Sequence, residues 1–470
     1  MRVRQFHDDG LGNTAHLLIS ETHGVAALID PLRDVDHYQQ VARSEGVRIT
    51  HVCETHLHND FVSGSRELAS TTGARIVASA DAGLEFDHQP VRDGETIVVG
   101  DVRLTVLATP GHTPEHVSYL ADEMGEPTQP GVLFSGGSLL VGAVSRTDLL
   151  GHEHATGLAL QLYRSLHERI LPLGDDVVVY PTHGGGSFCT ADAGSGSTTI
   201  GRERRTNALL GLPEPQAFAD RLLTSMPTFP AYFDHMRALN RRGPAILGGL
   251  PRLAPLTAHD VHDRHRRGEA VVDTRSIHDY ARGHIPGVYH VELRPAFASW
   301  VGWVVPFGTP VVLVSDSTEV HEYAVRQLVR IGYDDLPGYL EGGMEAWLRA
   351  GLPVERVPVL TMRQLRERLV RGEPLLVLDV RQAHEWSTGH IPRAELVEAG
   401  ELSQADLHLP HDRLIATHCA HGQRAATALS VLERRGFKQL AVISGGVDDW
   451  RSAGGEVERG APPKAQTARP

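Results

Sequence analysis

The sequence predicts an α/β protein in three parts: an αββα sandwich first, then two smaller α/β domains with parallel sheets. Three observations carry this expectation. In the first half, β-like runs alternate with helical stretches, and several runs end in a turn that bears a histidine. From Val271 onward one strand–helix pattern occurs twice, with the same short motifs in the same order. Between these halves, Arg241 to Ala254 is rich in proline and glycine and reads as a linker. The expected boundaries are 1–240, a linker 241–254, 255–356, 357–459 and a disordered tail 460–470.

Taken in order, Val25 to Ile29 is an apolar strand stopped by Asp30-Pro31. Asp36 to Glu45 has helical spacing. Val47 to Cys53 is strand-like and runs into Glu54-Thr55-His56-Leu57-His58-Asn59-Asp60-Phe61. Two histidines two residues apart, with an aspartate two further on, can converge on one point at a strand-to-loop junction. Imidazole nitrogen and carboxylate oxygen are ligands for zinc or iron. A helix is expected over 64–72 and strands near 75–78 and 102–108, the last running into Thr109-Pro110-Gly111-His112-Thr113. Gly131 to Gly137 is a strand closing in a glycine turn, and Asp176 to Tyr180 leads to Thr182-His183-Gly184. Strands that deliver histidines from their ends suit a sandwich with its site at the rim. Cys53 reads as a core thiol, and Cys189, just past the His183 turn, as a packing residue with a redox role as the alternative. The run Ala193-Gly194-Ser195-Gly196-Ser197 reads as a loop.

Composition narrows the classes. With 41% hydrophobic and 22% charged residues, the 470-residue chain has material for several cores. A net charge of −13, with basic residues dispersed, argues against nucleic acid as a partner. Three scattered cysteines are no disulfide framework. The start, Met1 to Asp9, lacks a signal-like apolar core, and no run is long enough to span a membrane. A cytoplasmic location is expected, with no membrane partner; a homo-oligomer stays among the options.

The three histidine-bearing segments, in this order, resemble the metallo-β-lactamase superfamily. Asp30-Pro31, Gly111-His112-Thr113-Pro114-Glu115-His116, Arg146-Thr147-Asp148 and Ile200 to Asn207 are similar to its persulfide dioxygenases. That resemblance implies oxidation of glutathione persulfide by O₂ at one iron, held by two histidines and an aspartate. The histidines would be His56 and His112; the aspartate would fall at Gly137, which has no ligand atom. Phe61 stands where the superfamily has a further histidine, so a second metal also loses ligands. His56, His58 and His112 could still hold one Fe or Zn ion tetrahedrally with water, with Asp60 orienting or deprotonating that water.

In the second half, Asp273-Thr274-Arg275 with Gly283-His284-Ile285-Pro286 recurs as Asp379-Val380-Arg381 with Gly389-His390-Ile391-Pro392. Gly342-Gly343 before Trp347 likewise matches Gly445-Gly446 before Trp450. These motifs resemble two rhodanese domains in tandem, which need no cofactor. In the second copy, strand Leu414 to His418 meets Cys419-Ala420-His421-Gly422-Gln423-Arg424 and then a helical stretch. Backbone N–H groups of such a loop, contributed by Ala420, His421, Gly422 and Gln423, can cradle an exposed thiolate or persulfide on Cys419. Arg424 can fork onto a sulfite or thiosulfate oxyanion. His418 and His421 read as solvated. The first copy has Ser315 and Val320 at the corresponding positions and reads as a spacer.

Together these features predict a sulfur-metabolism enzyme that passes sulfane sulfur through Cys419, with thiosulfate, glutathione persulfide and sulfite as the small molecules involved. Two alternatives stand beside it: a three-histidine thioester hydrolase of the glyoxalase II type, and a non-catalytic persulfide carrier or sensor.

Overall fold

The computed structural model describes residues 1–125, 131–185, 187–189, 194 and 196–462. The tail expected to be disordered lies outside the described residues from 463 on, as do Ala193 and Ser195 of the glycine–serine run. Two compact units emerge, one dominated by Met1–Thr228 with Tyr232–Leu250, the other by Pro251–Leu328 with Tyr333–Pro470.

Among the described residues the first unit contains two six-stranded sheets. One comprises β1 (Arg2–Asp8), β2 (Asn13–Ser20), β3 (Val25–Ile29), β4 (Arg48–Cys53), β5 (Arg75–Ser79) and β6 (Gln89–Val91), neighbours in that order. The other comprises β7 (Thr96–Val99), β8 (Val102–Ala108), β9 (Val117–Glu123), β10 (Val132–Gly136), β11 (Val178–Pro181) and β12 (Thr198–Thr199), again in sequence order. Strand parity explains the layering, because successive side chains point to opposite faces. Leu18, Ala27, Ile29 and Cys53 meet Leu104, Val106, Tyr119 and Phe134 in a core between the sheets. Their neighbours Leu17, Ile19, Ala26, Leu28 and Val52 pack outward with Tyr38, Ala42 and Leu68 of the helices Asp36–Ser44 and Ser65–Thr72. Leu133 and Val179 do the same on the other side, with Ala159 and Leu162 of helix His152–Arg164 and Phe218 and Leu222 of helix Pro215–Ser225. This is the expected αββα sandwich. Strands covered on both faces read as unbroken apolar runs, not as alternation.

One rim of the sandwich collects the turns that matter. Parallel pairing of β3 with β4, and of β10 with β11, brings the strand ends at Ile29, Cys53, Gly136 and Pro181 to the same edge. Asp30, in the left-handed region at φ 49°, turns its carboxylate across this edge. It accepts from Thr55 N–H and Thr55 Oγ1, both at 2.7 Å, and from the Thr182 hydroxyl. The helix Phe233–Arg242 bolts the loop after β4 in place: Asn240 Nδ2 donates to the carbonyls of His58 and Phe61 at 2.8 Å each. That helix extends into the segment read as linker, which ends as the next strand begins at Ala254.

The second unit repeats one design. β13 (Ala254–Leu256), β14 (Ala270–Asp273), β15 (Tyr289–His290), β16 (Val311–Val314) and β17 (Gly338–Leu340) form a parallel sheet in the order β13-β17-β16-β14-β15. β18 (Val359–Thr361), β19 (Leu375–Asp379), β20 (Glu395–Leu396), β21 (Leu414–His418) and β22 (Leu440–Ser444) form another in the order β18-β22-β21-β19-β20. The repeated motifs are the joints of this design. Arg275 forks onto Asp273 at 2.9 and 2.6 Å and donates to Gly283 O at 2.8 Å. Arg381 forks onto Asp379 at 2.9 and 2.6 Å and reaches Gly389 O at 2.9 Å. Each buried arginine thus ties a strand end to the glycine of the next motif, with both charges paired. Trp347 and Trp450 each donate their indole N–H to a carbonyl six residues on, at 2.8 and 2.6 Å.

Candidate functional site

The histidines predicted from the sequence do meet at the rim. His56 lies with its ring centroid 4.2 Å from that of His58 and 4.7 Å from that of His112. His183, named in the sequence but not counted among the ligands, belongs with them: its Nε2 is 3.2 Å from His56 Nε2. Each ring is held from behind. His112 Nδ1 bonds Arg146 O at 2.8 Å, His56 Nδ1 bonds Thr55 Oγ1 at 2.8 Å, and His183 Nδ1 faces Asn13 Oδ1 at 2.8 Å and Asp60 Oδ2 at 3.2 Å. Fixing one ring nitrogen orients the other, which is how proteins prepare imidazole ligands. His58 Nε2 is taken by Glu54 Oε2 at 3.0 Å, with Asp30 Oδ1 at 3.4 Å.

Burial would depress the His58 imidazole, but Asp30 and Glu54 raise it to about 10. Burial would raise the Asp30 carboxyl, and His58 with the Thr182 and Thr55 hydroxyls brings it down to about 2. Burial pushes His56 and His112 well below the usual imidazole range, reinforced by the neighbouring rings. His56 and His112 are therefore neutral imidazole donors beside the carboxylate-held ring of His58.

Of four trios among the described residues that bring one ligand atom from each member within 4.8 Å of one another, two contain His183: His56 with His58 and His183, and His112 with His183 and Cys189. His58 Nδ1 and Asp60 Oδ1 are buried without hydrogen-bond partners; a bound cation would satisfy Asp60 Oδ1, and His58 Nδ1 once its proton has left. The donor set thus fits a metal ion bound through imidazole. It does not fit the two-histidine, one-aspartate iron pattern. A Cβ on Gly137 would lie 2.4 Å from His112 Cδ2, so the missing carboxylate has no room while His112 stays in place. His116 Nε2 accepts the Gly137 N–H at 2.9 Å and holds that backbone against the cluster. Phe61 stacks on the His58 ring at 4.1 Å and fills space where a ligand was expected. Glu115 and Asp148 are both forked by arginines, Arg237 and Arg146. A cleft lined by Glu54, His56, His58, Ala82, Leu84 and Phe86 opens onto the cluster.

In the second unit, β21 ends at His418, and the loop from Cys419 leads to helix Gln423–Arg434. Gly422 caps that helix at φ 104°, a conformation open to glycine, and its N–H donates to Cys419 Sγ at 3.1 Å. Of the loop N–H groups expected around the sulfur, that of Gly422 points at it. Ala420 is half-buried, His421 is exposed, and Gln423 opens the helix. His418, expected to be solvated, is instead buried, with Nε2 3.4 Å from Asp379 Oδ2. The exposed thiolate expected from the sequence is also corrected. Cys419 is only 1% exposed, because the first repeat covers the loop: a Cβ on Gly422 would meet Ile277 Cδ1 at 3.2 Å.

Arg424 forks onto Glu385 at 2.5 and 2.8 Å. The unpaired cation is a residue that sequence reasoning missed. Arg294, from the repeat without a cysteine, is half-buried, and its guanidinium has no hydrogen-bond or ion-pair partner among the described residues. Burial lowers it from the usual arginine range, while the charges of Glu292 and Cys419 pull it back. Nothing near Arg294 in sequence announces this role. Ser315, at the cysteine position of the first repeat, spends its hydroxyl on His321 Nε2 at 2.7 Å.

The metallo-β-lactamase superfamily model matches residues 9–183, and the rhodanese-like domain model matches 257–350 and 361–453. The human mitochondrial persulfide dioxygenase ETHE1 is 31% identical over 212 residues, 45% of this chain and 76% of that protein. A hydroxyacylglutathione hydrolase from a Polaromonas strain is 31% identical over 244 residues, 46% of this chain and 88% of that protein. Among solved structures, a metallo-β-lactamase from Staphylococcus aureus is similar at 32% identity and a TM-score of 0.65, covering 72% of this chain and 98% of that one. The chain belongs to the metallo-β-lactamase superfamily, with persulfide dioxygenase homologues over its first domain and two rhodanese-like domains after it.

Proposed function

We propose that this protein is a sulfurtransferase that carries sulfane sulfur on Cys419. The observation that supports it best is the Gly422 N–H aimed at Cys419 Sγ from the head of a helix, where main-chain dipoles favour a negative sulfur. With thiosulfate as donor, the Cys419 thiolate attacks the outer sulfur. A new S–S bond forms, and sulfite leaves with the electron pair of the old one. A nucleophilic acceptor such as a thiolate or cyanide then attacks the outer sulfur of the persulfide and regenerates the Cys419 thiolate. Arg294, whose charge interacts with Cys419, can hold the sulfonate of the donor, while Arg424 stays paired with Glu385.

For the first domain, a hydrolytic metal site is favoured over an oxygen-using one by the lack of room for a carboxylate at Gly137. A metal ion there would act as a Lewis acid and supply an activated water. The chain's own part is to hold the imidazoles from behind through Arg146, Thr55 and Asn13 and to keep Asp60 beside His183.

The test compares the wild-type chain with Cys419→Ala in thiosulfate-to-cyanide transfer, with oxygen uptake on glutathione persulfide followed in the same preparations. Wild type should turn over, Cys419→Ala should fall to background, and neither should consume oxygen. Full transfer by the variant discards Cys419 as nucleophile. Stoichiometric sulfur loading without turnover makes the protein a carrier. Brisk oxygen uptake restores the dioxygenase reading.

A further inference from the structure

Three cysteines are buried, but their surroundings differ. Cys53 lies in the apolar core between the sheets. Cys189 is equally covered, at 1% exposure, yet it faces polar groups: its Sγ is 3.7 Å from Asp60 Oδ2, and a ligand atom of each of Cys189, His112 and His183 falls within 4.8 Å of the other two.

This thiol is also held in place. Arg146 N–H donates to Cys189 O at 2.8 Å, and Arg146 Nη1 donates to Phe188 O at 2.8 Å. Cys189 N–H donates to Ser187 Oγ at 3.1 Å. The carbonyl of the same Arg146 accepts from His112 Nδ1 at 2.8 Å. One arginine therefore sets both His112 and Cys189, from strand ends far apart in sequence. Across the cluster, Gly137 offers no donor and no space for one. The cluster has lost an anionic ligand at one wall and gained an anionic-capable one at another.

We propose that Cys189 binds, as thiolate, a metal ion that it shares with His112 and His183, and that the ion is of the zinc class. Two imidazoles and a thiolate are a borderline-soft set that suits tetrahedral zinc, whereas the facial iron pattern needs a hard carboxylate. On binding, the thiol proton leaves to solvent, the metal–sulfur bond forms, and no electron is transferred. Asp60, whose Oδ1 is unpartnered among the described residues, is placed to fill or support the remaining position.

Cobalt(II), a spectroscopic stand-in for zinc, tests this on the full-length, metal-depleted protein. Wild type should bind one cobalt per chain and show a near-ultraviolet thiolate-to-cobalt charge-transfer band. Cys189→Ser should lose that band and bind zinc at least about tenfold more weakly. Cys53→Ser and Cys419→Ser should keep the band. X-ray absorption of zinc-loaded wild type, which needs no variant, should show one sulfur at about 2.3 Å. Failure to take up cobalt, a wild type without the band, a band that survives in Cys189→Ser, or a zinc shell of nitrogen and oxygen alone would each overturn the assignment.

Discussion

Cys419 and Cys53 are both strand-end cysteines with almost no exposed surface, and single contacts separate their chemistry. Burial among apolar side chains pushes the Cys53 thiol far above its usual range and leaves it inert. Cys419 instead receives an N–H from Gly422 and lies in the field of two guanidiniums. Those two differ in turn. Arg424 is neutralised by Glu385, so Arg294 is the charge free to meet an anionic donor. Arg294→Ala should raise KM for thiosulfate about tenfold with a smaller change in kcat, as expected when one charge-assisted hydrogen bond to substrate is lost. Arg294→Lys should lie between. Steady-state kinetics with unchanged KM in the alanine variant would remove Arg294 from the site.

At the scale of elements, the catalytic loop is shaped by what runs past it. The chain after β22 passes so close that a Cβ on Gly446 would stand 2.4 Å from Ala420 O. The glycine pair before the tryptophan is thus the gap through which the loop carbonyl fits; in the first repeat a Cβ on Gly343 would stand 3.1 Å from the carbonyl one position earlier, Ser315 O. Gly446→Ala must displace backbone, at a cost of about 1–3 kcal/mol by analogy with overpacked cores. It should lower the melting temperature and the sulfur-transfer rate together while leaving metal content as it was. A variant with wild-type transfer and stability would show that the loop can move freely there. The helix Gln423–Arg434 is the other shaping element. It is buried from Ala425 to Glu433, and its far end is gripped by the first repeat: Glu433 accepts from His284 Nε2 at 2.9 Å and from Gly287 N–H at 3.0 Å. The repeat without a cysteine is more than a spacer, since it braces the helix whose head points at Cys419.

Over the whole molecule, each unit carries histidines that fold neutral. His16 in the first unit and His290 in the second are fully buried, bond the carbonyls of Pro181 and Arg275 at 3.0 Å, and are pushed by burial to about 4. An unfolded histidine titrates near 6.5, so between those values the unfolded chain binds more protons than the folded one. Stability from these rings is complete above about pH 6.5 and is lost as pH falls toward about 4, on the order of 3 kcal/mol for each. Urea unfolding at pH 7 and pH 5 should show the loss, and His16→Gln with His290→Gln should flatten the pH dependence. Equal stability at both values would refute it. Among the described residues no helix is long and apolar enough to cross a membrane.

Local sequence was enough for the fold class, the repeat and most of the donors. Apolar runs bounded by glycine and proline, and motifs in fixed order, depend on neighbours a few residues away, and those neighbours are written in the chain. The reading of Cys419 as nucleophile and of His56, His58 and His112 as ligands came from such local order. Three decisions belonged to the tertiary structure alone. Whether Gly137 leaves room for a carboxylate depends on the position of His112, held from Arg146. Whether Cys189 is a packing thiol or a ligand depends on Asp60 and His183, which reach it from other strand ends. Which arginine is unpaired beside Cys419 depends on how two repeats are docked. Charge and coordination are set by whatever lies within a few ångströms, and at these points the neighbours come from other elements, from 25 residues away for Gly137 and His112 to 129 for Asp60 and Cys189.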